Sequence, residues 1–166
     1  MKRKIVIYAG SFDPITNGHL NIIEQAYDMF DEIIVGVLIN SQKKSLFTIE
    51  ERINMINEVV NPLPDIKVKS FAGALIDFAK EENACAIIRG LRSISDFESE
   101  LQLALVNKSI SNGILNTIFL IPDINYQFIS SSMVKEIARL GKKIYDFVPT
   151  SVAVELYKKI GAIKND

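Results

Sequence analysis

The chain has 166 residues, 48% hydrophobic and 23% charged, which suits one soluble domain with a proper core rather than a disordered or fibrous chain. Nineteen basic against twenty acidic side chains leave a formal charge of −1. That balance excludes bulk electrostatic attraction to nucleic acid or membrane, although local clusters can still hold small anions. With one cysteine and one histidine, Cys85 and His19, neither a disulfide framework nor a zinc site can be built.

The N-terminus, Met1-Lys2-Arg3-Lys4, is basic but runs straight into a short apolar strand, without the long apolar stretch and cleavage site of a signal peptide. No apolar run is long enough to span a bilayer, so a cytoplasmic location is the expectation. Ile5–Ala9 is an apolar, β-branched run suited to a buried parallel strand. A turn-rich loop follows, with Gly10, Pro14 and Gly18, and then a helical pattern after His19 through Leu20, Ile23, Ala26, Tyr27 and Phe30. A strand-to-helix turn of this kind aims backbone N–H groups and the positive end of a helix dipole at one spot, where an α/β protein holds a phosphate.

Ile33–Leu38 reads as the second strand and Asn40–Ser45 as a polar loop with Lys43 and Lys44. Thr48 and Glu51 have capping-box spacing at the head of a helix that continues through Ile53, Ile56 and Val60 and stops before Pro62. Ile66–Phe71 alternates with Lys67 and Lys69, a strand with one wetter face. Leu75, Ile76, Phe78 and Ala79 mark a short helix, and Ala86–Arg89 a fourth strand. Cys85, at the start of that apolar run, is expected to be a buried, inert thiol. Ser95 and Glu98 suggest a second capping box, ahead of a helix with Leu101, Leu105 and Ile110 at helical spacing. After a turn at Ser111-Asn112-Gly113, Thr117–Ile121 is the fifth strand. Ser130, Ser131 and Ser132 offer N-cap hydroxyls for a helix ending at Leu140, with Gly141 as its C′ residue. A last amphipathic helix follows Pro149, carries Val152, Leu156, Tyr157 and Ile160, and is expected to pack into the core.

No repeat, low-complexity tract or linker composition divides the chain, so residues 1–166 are expected to form one domain. Strands alternating with helices imply an α/β architecture: a Rossmann-like, doubly wound, five-stranded parallel sheet with helices on both faces. Ligands of such sheets bind outside the C-terminal strand ends. Ser11, His19, Lys43, Arg89, Arg92 and Ser130–Ser132 all follow strands and can converge there. All are donors, most can be cationic and none is a carboxylate. Such a set suits phosphoryl or nucleotidyl transfer, where catalysis is mainly positioning and charge stabilisation. Taken singly, Lys43-Lys44 also fits a solvated pair, Arg89 and Arg92 fit structural partners of Asp96, Glu98 or Glu100, and the serines fit helix caps. Together they point to an anion site. Neither a G-x-x-x-x-G-K-[ST] loop nor a G-x-G-x-x-G fingerprint is present, which speaks against a P-loop NTPase and a dinucleotide-dependent dehydrogenase.

Gly10-Ser11-Phe12-Asp13-Pro14 with Thr16-Asn17-Gly18-His19 resembles the signature of the HxGH nucleotidyltransferases in its T-x-G-H form, and Ile129-Ser130-Ser131-Ser132 resembles their second motif. Ile88-Arg89-Gly90-Leu91-Arg92, with Asp96-Phe97-Glu98 and Glu100-Leu101-Gln102, narrows the resemblance to the bacterial phosphopantetheine adenylyltransferases. Lys43-Lys44 before Leu46-Phe47-Thr48 agrees, as do Glu50-Glu51-Arg52 and Ser132-x-Val134-Lys135-Glu136; Ala9 stands where that family often has proline. The resemblance implies that ATP and 4′-phosphopantetheine give dephospho-coenzyme A and pyrophosphate with Mg²⁺. It implies catalytic roles for His19, Ser11 and Lys43, with Lys43 holding the acceptor phosphate. It implies ATP contacts from Ser11, Phe12, His19, Gly90, Leu91, Arg92, Glu100, Tyr126, Gln127, Phe128, Ile129, Ser130, Ser131 and Ser132. Ser11, Lys43, Leu75 and Arg89 would face the acceptor. The same resemblance implies a homohexamer, a dimer of trimers, with feedback binding of coenzyme A. The alternatives are another member of the superfamily, such as a nicotinate-mononucleotide adenylyltransferase, and a non-catalytic adenylate-binding module.

Overall fold

The structure, a computed structural model, describes residues 3–40, 42 and 44–161. Its elements follow in order: β1 (Ile5–Gly10), α1 (Asn17–Tyr27), β2 (Glu32–Leu38), α2 (Ile49–Val60), β3 (Ile66–Phe71), α3 (Leu75–Glu81), β4 (Ala86–Gly90), α4 (Ile94–Ile110), β5 (Asn116–Leu120), α5 (Ser131–Arg139) and α6 (Thr150–Ile160). The five strands form one sheet in the order β3-β2-β1-β4-β5, and every neighbouring pair is parallel. The expected doubly wound fold is therefore present. From β1 the chain winds outward through β2 and β3, then returns to place β4 on the other side of β1. The C-terminal ends of β1 and β4 thus flank the switch point of the sheet, where a crevice forms between diverging connections.

Strand periodicity divides the core between two faces. Val6 and Tyr8 of β1, Ile33 and Val35 of β2 and Ile88 of β4 pack with Ile22, Ile23 and Ala26 of α1, Ile56 of α2 and Val152 and Leu156 of α6. Ile7, Ile34 and Ile87 point the other way, onto Ile76, Phe78 and Ala79 of α3. The central strands are buried on both faces, which is why they read as continuous apolar runs. The final helix packs into the core, as expected from its pattern.

Capping chemistry sets several boundaries. Thr48 and Glu51 exchange the hydrogen bonds of a capping box, at 3.2 and 2.8 Å. Glu51 also accepts from Lys159, which ties α6 to α2, and this bond leads in holding its carboxyl below the usual range. Gly141, at φ +69°, ends α5 with its N–H donating to Ala138 O, and Lys142 N–H donates to Ile137 O. These are the two bonds of a Schellman motif, as expected for a C′ glycine.

Three expectations are corrected. First, α1 starts at Asn17 and ends at Tyr27, so His19 lies inside its first turn and Phe30 beyond its end. Second, Cys85 is exposed; it sits just ahead of β4, and its N–H donates to Ile5 O. Third, α4 starts at Ile94, so Ser95 lies within the helix and cannot be its N-cap. Leu105 and Ile110 of α4 are 60% and 62% exposed. No helix among the described residues is long and apolar enough to cross a membrane.

The core on the α3 face contains a tight fit. Phe71 and Phe78 stack at 4.6 Å, and a Cβ on Gly36 would lie 3.0 Å from Phe78 and 3.2 Å from Phe71. Gly36→Val is expected to cost about 1–3 kcal/mol by overpacking. Its check is a lower thermal midpoint than that of the parent protein.

Candidate active site

A cavity of about 300 Å³ opens at the switch point. Its walls include Gly10–Asp13 after β1, His19 on α1, Arg89 and Gly90 of β4, Arg92, Glu100 of α4, and Ile129–Ser132 at the head of α5. Elements far apart in sequence meet here because parallel strands all deliver their C-terminal ends to one edge.

The turn after β1 is tightly specified. Phe12 adopts φ +46°, a conformation that side chains other than glycine rarely take. A Cβ on Gly10 would lie 3.1 Å from the Phe12 ring, so a bare backbone lets that ring fold over the strand end. The ring meets Tyr8 edge-on at 5.4 Å and His19 at 5.1 Å. Burial raises the pKa of Tyr8 against the pull of Arg89 and Arg92, so its hydroxyl stays protonated.

His19 is held by the backbone it caps. The Thr16 N–H donates to His19 Nδ1 at 3.1 Å, while His19 N–H donates to Thr16 Oγ1 at 3.4 Å. This is a capping box with histidine in the place usual for Glu or Gln. A ring nitrogen that accepts a hydrogen bond carries no proton, so the proton of the neutral ring rests on Nε2. Burial, and then the nearby Arg92 guanidinium, lower the His19 pKa to about 4. At neutral pH the side chain is therefore a neutral N–H donor lining the cavity.

The carboxylates contradict the expectation of a purely donor edge. Asp13 and Glu100 both line the cavity, yet each is neutralised by a neighbour. Glu100 takes a two-point grip from Arg89, with Nε and Nη2 both at 2.6 Å, and Arg89 Nη1 donates to Ala9 O at 3.0 Å. The Glu100 hydrogen bond outweighs burial in raising the Arg89 pKa. Asp13 accepts from Lys135 Nζ at 2.7 Å, Leu46 N at 3.0 Å and Phe47 N at 2.9 Å. Burial works to raise its pKa, but these donors outweigh it and hold the carboxyl below the usual range. Neither carboxylate is placed as a free general base.

Most expected site residues gather here: Ser11, Phe12, His19, Arg89, Gly90, Arg92, Glu100, Ile129, Ser130, Ser131 and Ser132 all line the cavity. Ser130 caps α5 by accepting from Met133 N, and Ser131 Oγ donates to Pro14 O at 2.7 Å. Arg92 donates to Ile129 O at 3.2 Å. Five others stand outside the lining. Leu75 opens α3 and packs against the core on the α3 face of the sheet. Leu91 N–H donates to Leu120 O. The Tyr126 carbonyl comes so close to α1 that a Cβ on Gly18 would lie 3.3 Å from it. Gln127 Nε2 donates to Pro122 O, and Phe128 is exposed against Phe147. Lys43 lies outside the described residues.

The sequence assigned no role to four residues that organise this site: Thr16, Asp13, Lys135 and Arg52. Arg52 is buried and donates to Ser11 O at 2.8 Å. Only the Thr16–His19 spacing carries a readable signal, that of a cap. Among the described residues no group of three or more His, Cys, Asp or Glu could hold a metal ion.

The depressed His19 pKa fixes a sign for acid sensitivity. Unfolded histidine titrates near 6.5 and folded His19 near 4, so across that window only the unfolded chain binds the proton. Stability from this group is present above pH 6.5 and lost as pH falls toward 4. Denaturant midpoints at pH 7 and pH 5 should accordingly fall further in the parent protein than in His19→Gln.

A family profile described as Cytidylyltransferase-like matches residues 7–137. The chain is 50% identical to the phosphopantetheine adenylyltransferase of Clostridium kluyveri, covering 96% of this chain and 97% of that one. It is 46% identical to the enzyme of that name from Moorella thermoacetica, over 95% and 98% of the two chains. Its fold is similar to that of the Plasmodium falciparum nicotinic acid mononucleotide adenylyltransferase complexed with NaAD, with a TM-score of 0.70 at 21% identity over 95% and 96%. With its sheet, its switch-point cavity and these relatives taken together, the chain belongs to the cytidylyltransferase-like family and, within it, to the phosphopantetheine adenylyltransferases.

Proposed function

We propose that this protein joins ATP and 4′-phosphopantetheine to form dephospho-coenzyme A and pyrophosphate, the penultimate step of coenzyme A synthesis. The observation that carries the chemistry is a cavity of N–H, guanidinium and hydroxyl donors whose two carboxylates are already paired. A phosphate acceptor arrives ionised and needs no general base. One of its oxygens attacks the α-phosphorus of ATP in line, the bond from that phosphorus to the bridging oxygen breaks, and pyrophosphate leaves with the electron pair. Charge grows on the α-phosphoryl oxygens during this exchange. His19 Nε2–H meets that charge without bringing a proton equilibrium into the step. Arg92, Ser130, Ser131 and Ser132 serve the triphosphate. Ser11 serves both substrates, and Lys43 and Arg89 serve the acceptor.

Mg²⁺ belongs to this reading as a companion of the triphosphate. The donor set fits an ion whose ligands are phosphate oxygens and water, since Asp13 and Glu100 are both engaged by cations. Bound there, the ion would neutralise charge on the departing pyrophosphate. A cytoplasmic location and feedback binding of coenzyme A in the same cavity complete the proposal.

A homohexamer, built as a dimer of trimers, is part of the same reading. Leu105, Ile110 and Ile114 are 60%, 62% and 75% exposed along and just beyond α4. Several exposed apolar side chains on and beside one helix mark a contact surface rather than a solvated face. Leu105→Glu with Ile110→Glu should shift the sedimenting species to smaller mass, and an unchanged sedimentation coefficient would remove α4 from the assembly interface.

Pyrophosphate release tests the reaction directly, with ATP and either phosphopantetheine or nicotinate mononucleotide. Turnover with phosphopantetheine is expected. Turnover only with the mononucleotide would point to the other acceptor class, and ATP binding with neither acceptor used would make the chain a non-catalytic adenylate-binding module. His19→Ala should lower kcat by about 10²–10³-fold with little change in ATP affinity, as for loss of a transition-state donor. Equal losses in kcat and ATP affinity would deny His19 that role.

A further inference from the structure

The Asp13 carboxylate ties together three parts of the cavity wall. It follows Ser11 and Phe12 on the β1–α1 turn. Its Oδ1 accepts from Phe47 N at 2.9 Å, and its Oδ2 accepts from Leu46 N at 3.0 Å and Lys135 Nζ at 2.7 Å. Leu46 and Phe47 lie in the segment between β2 and α2, directly after Ser45, which lines the cavity. Lys135 lies on α5, the helix headed by Ser130–Ser132. Asp13 is itself only 6% exposed, so these donors replace the water it has lost.

A second tie runs parallel to the first. Arg52 of α2 donates to Ser11 O at 2.8 Å and to Thr48 O at 3.3 Å. Residues 46–52 are therefore pinned at both ends to residues 11–13. On the other flank, Ser131 Oγ donates to Pro14 O, beside the Lys135 pair. The β1–α1 turn is thus a spacer: one side grips the segment entering α2 and the other grips the head of α5.

We propose that Asp13 is a positioning residue that sets the acceptor-side segment ahead of α2 at a fixed distance from the nucleotide-side helix α5. The assignment of sides rests on the function proposed above; the three-way tie does not. The chemistry makes the role sensitive to one atom. An ionised carboxylate offers two acceptor oxygens for three donors. A side-chain amide in its place would offer one acceptor oxygen and turn an NH₂ group toward an N–H or toward the Lys135 ammonium. One grip must open, and two of the three donors at stake are the Leu46 and Phe47 amides.

The test compares Asp13→Asn, Lys135→Met and Lys135→Arg in the full chain, by pyrophosphate-release kinetics and by amide hydrogen exchange. Asp13→Asn is expected to raise KM for phosphopantetheine about tenfold or more while KM for ATP stays within about twofold. Exchange at the Leu46 and Phe47 amides should quicken about tenfold or more, with the core strands β1 and β2 unaffected. Lys135→Met should show the same pattern more weakly, and Lys135→Arg should restore it by returning the charge. Both KM values rising together, or unchanged exchange at residues 46 and 47, would overturn the proposal. If Asp13→Asn fails to fold, the Lys135 pair carries the same comparison. If the parent protein releases no pyrophosphate with phosphopantetheine, the proposed function fails, and the exchange measurement still decides whether Asp13 holds this segment.

Discussion

The reciprocal hydrogen bonds between Thr16 and His19 are the constraint on which the site depends. An α-helix begins with N–H groups that its own turns cannot satisfy. Here His19 satisfies one of them with Nδ1, while Thr16 Oγ1 answers the backbone of His19. The same bonds choose the tautomer. With Nδ1 committed as an acceptor, the proton has only Nε2 to occupy, and it lines the cavity. Packing by Phe12 and the nearby Arg92 charge then keep the ring neutral. A bond that stabilises a helix thereby also leaves an N–H donor on a side chain that lines the cavity.

The rest of the cavity is likewise built from paired groups. Two carboxylates lie among its residues, which would suggest acid–base chemistry if their partners were ignored. Arg89 and Lys135 remove that possibility by claiming Glu100 and Asp13. Such pairs in a half-buried setting are not strong evidence of stability, because desolvation opposes their attraction. Their effect here is geometric. Arg89 joins β4, α4 and the end of β1, while Asp13 joins the β1–α1 turn to the approach to α2 and to α5. The cavity is then lined by hydroxyl and guanidinium groups, with both of its carboxylates engaged.

The sheet places these ties where they can matter. Because β4 returns beside β1, the segments leaving the two strands diverge and cannot cover the edge between them. Glycine supplies the close approaches that this edge needs. A Cβ on Gly90 would lie 3.2 Å from Ile22, so the end of β4 could not sit as near to α1 with a larger residue. The cavity floor is therefore set by missing side chains as much as by those present.

Much of this was legible in the sequence. Continuous apolar runs such as Ile33–Leu38 read as strands, and Thr48–Glu51 and Gly141 marked helix ends through local chemistry that needs no tertiary partner. The T-x-G-H turn, the R-G-L-R segment and the three serines could be placed at strand ends before any geometry was known. Other features depended on contacts between distant residues. The exposure of Cys85, the outward face of Leu105 and Ile110, and the start of α4 ahead of Ser95 follow from what the rest of the chain leaves uncovered. The capture of Asp13 by Leu46, Phe47 and Lys135 spans residues that no short-range pattern connects. What the sequence alone determined was the order and type of the elements, because backbone propensity, periodicity and capping are local. The tertiary structure alone decided the charge and proton states of the site, since these depend on which groups are brought together and which water is excluded.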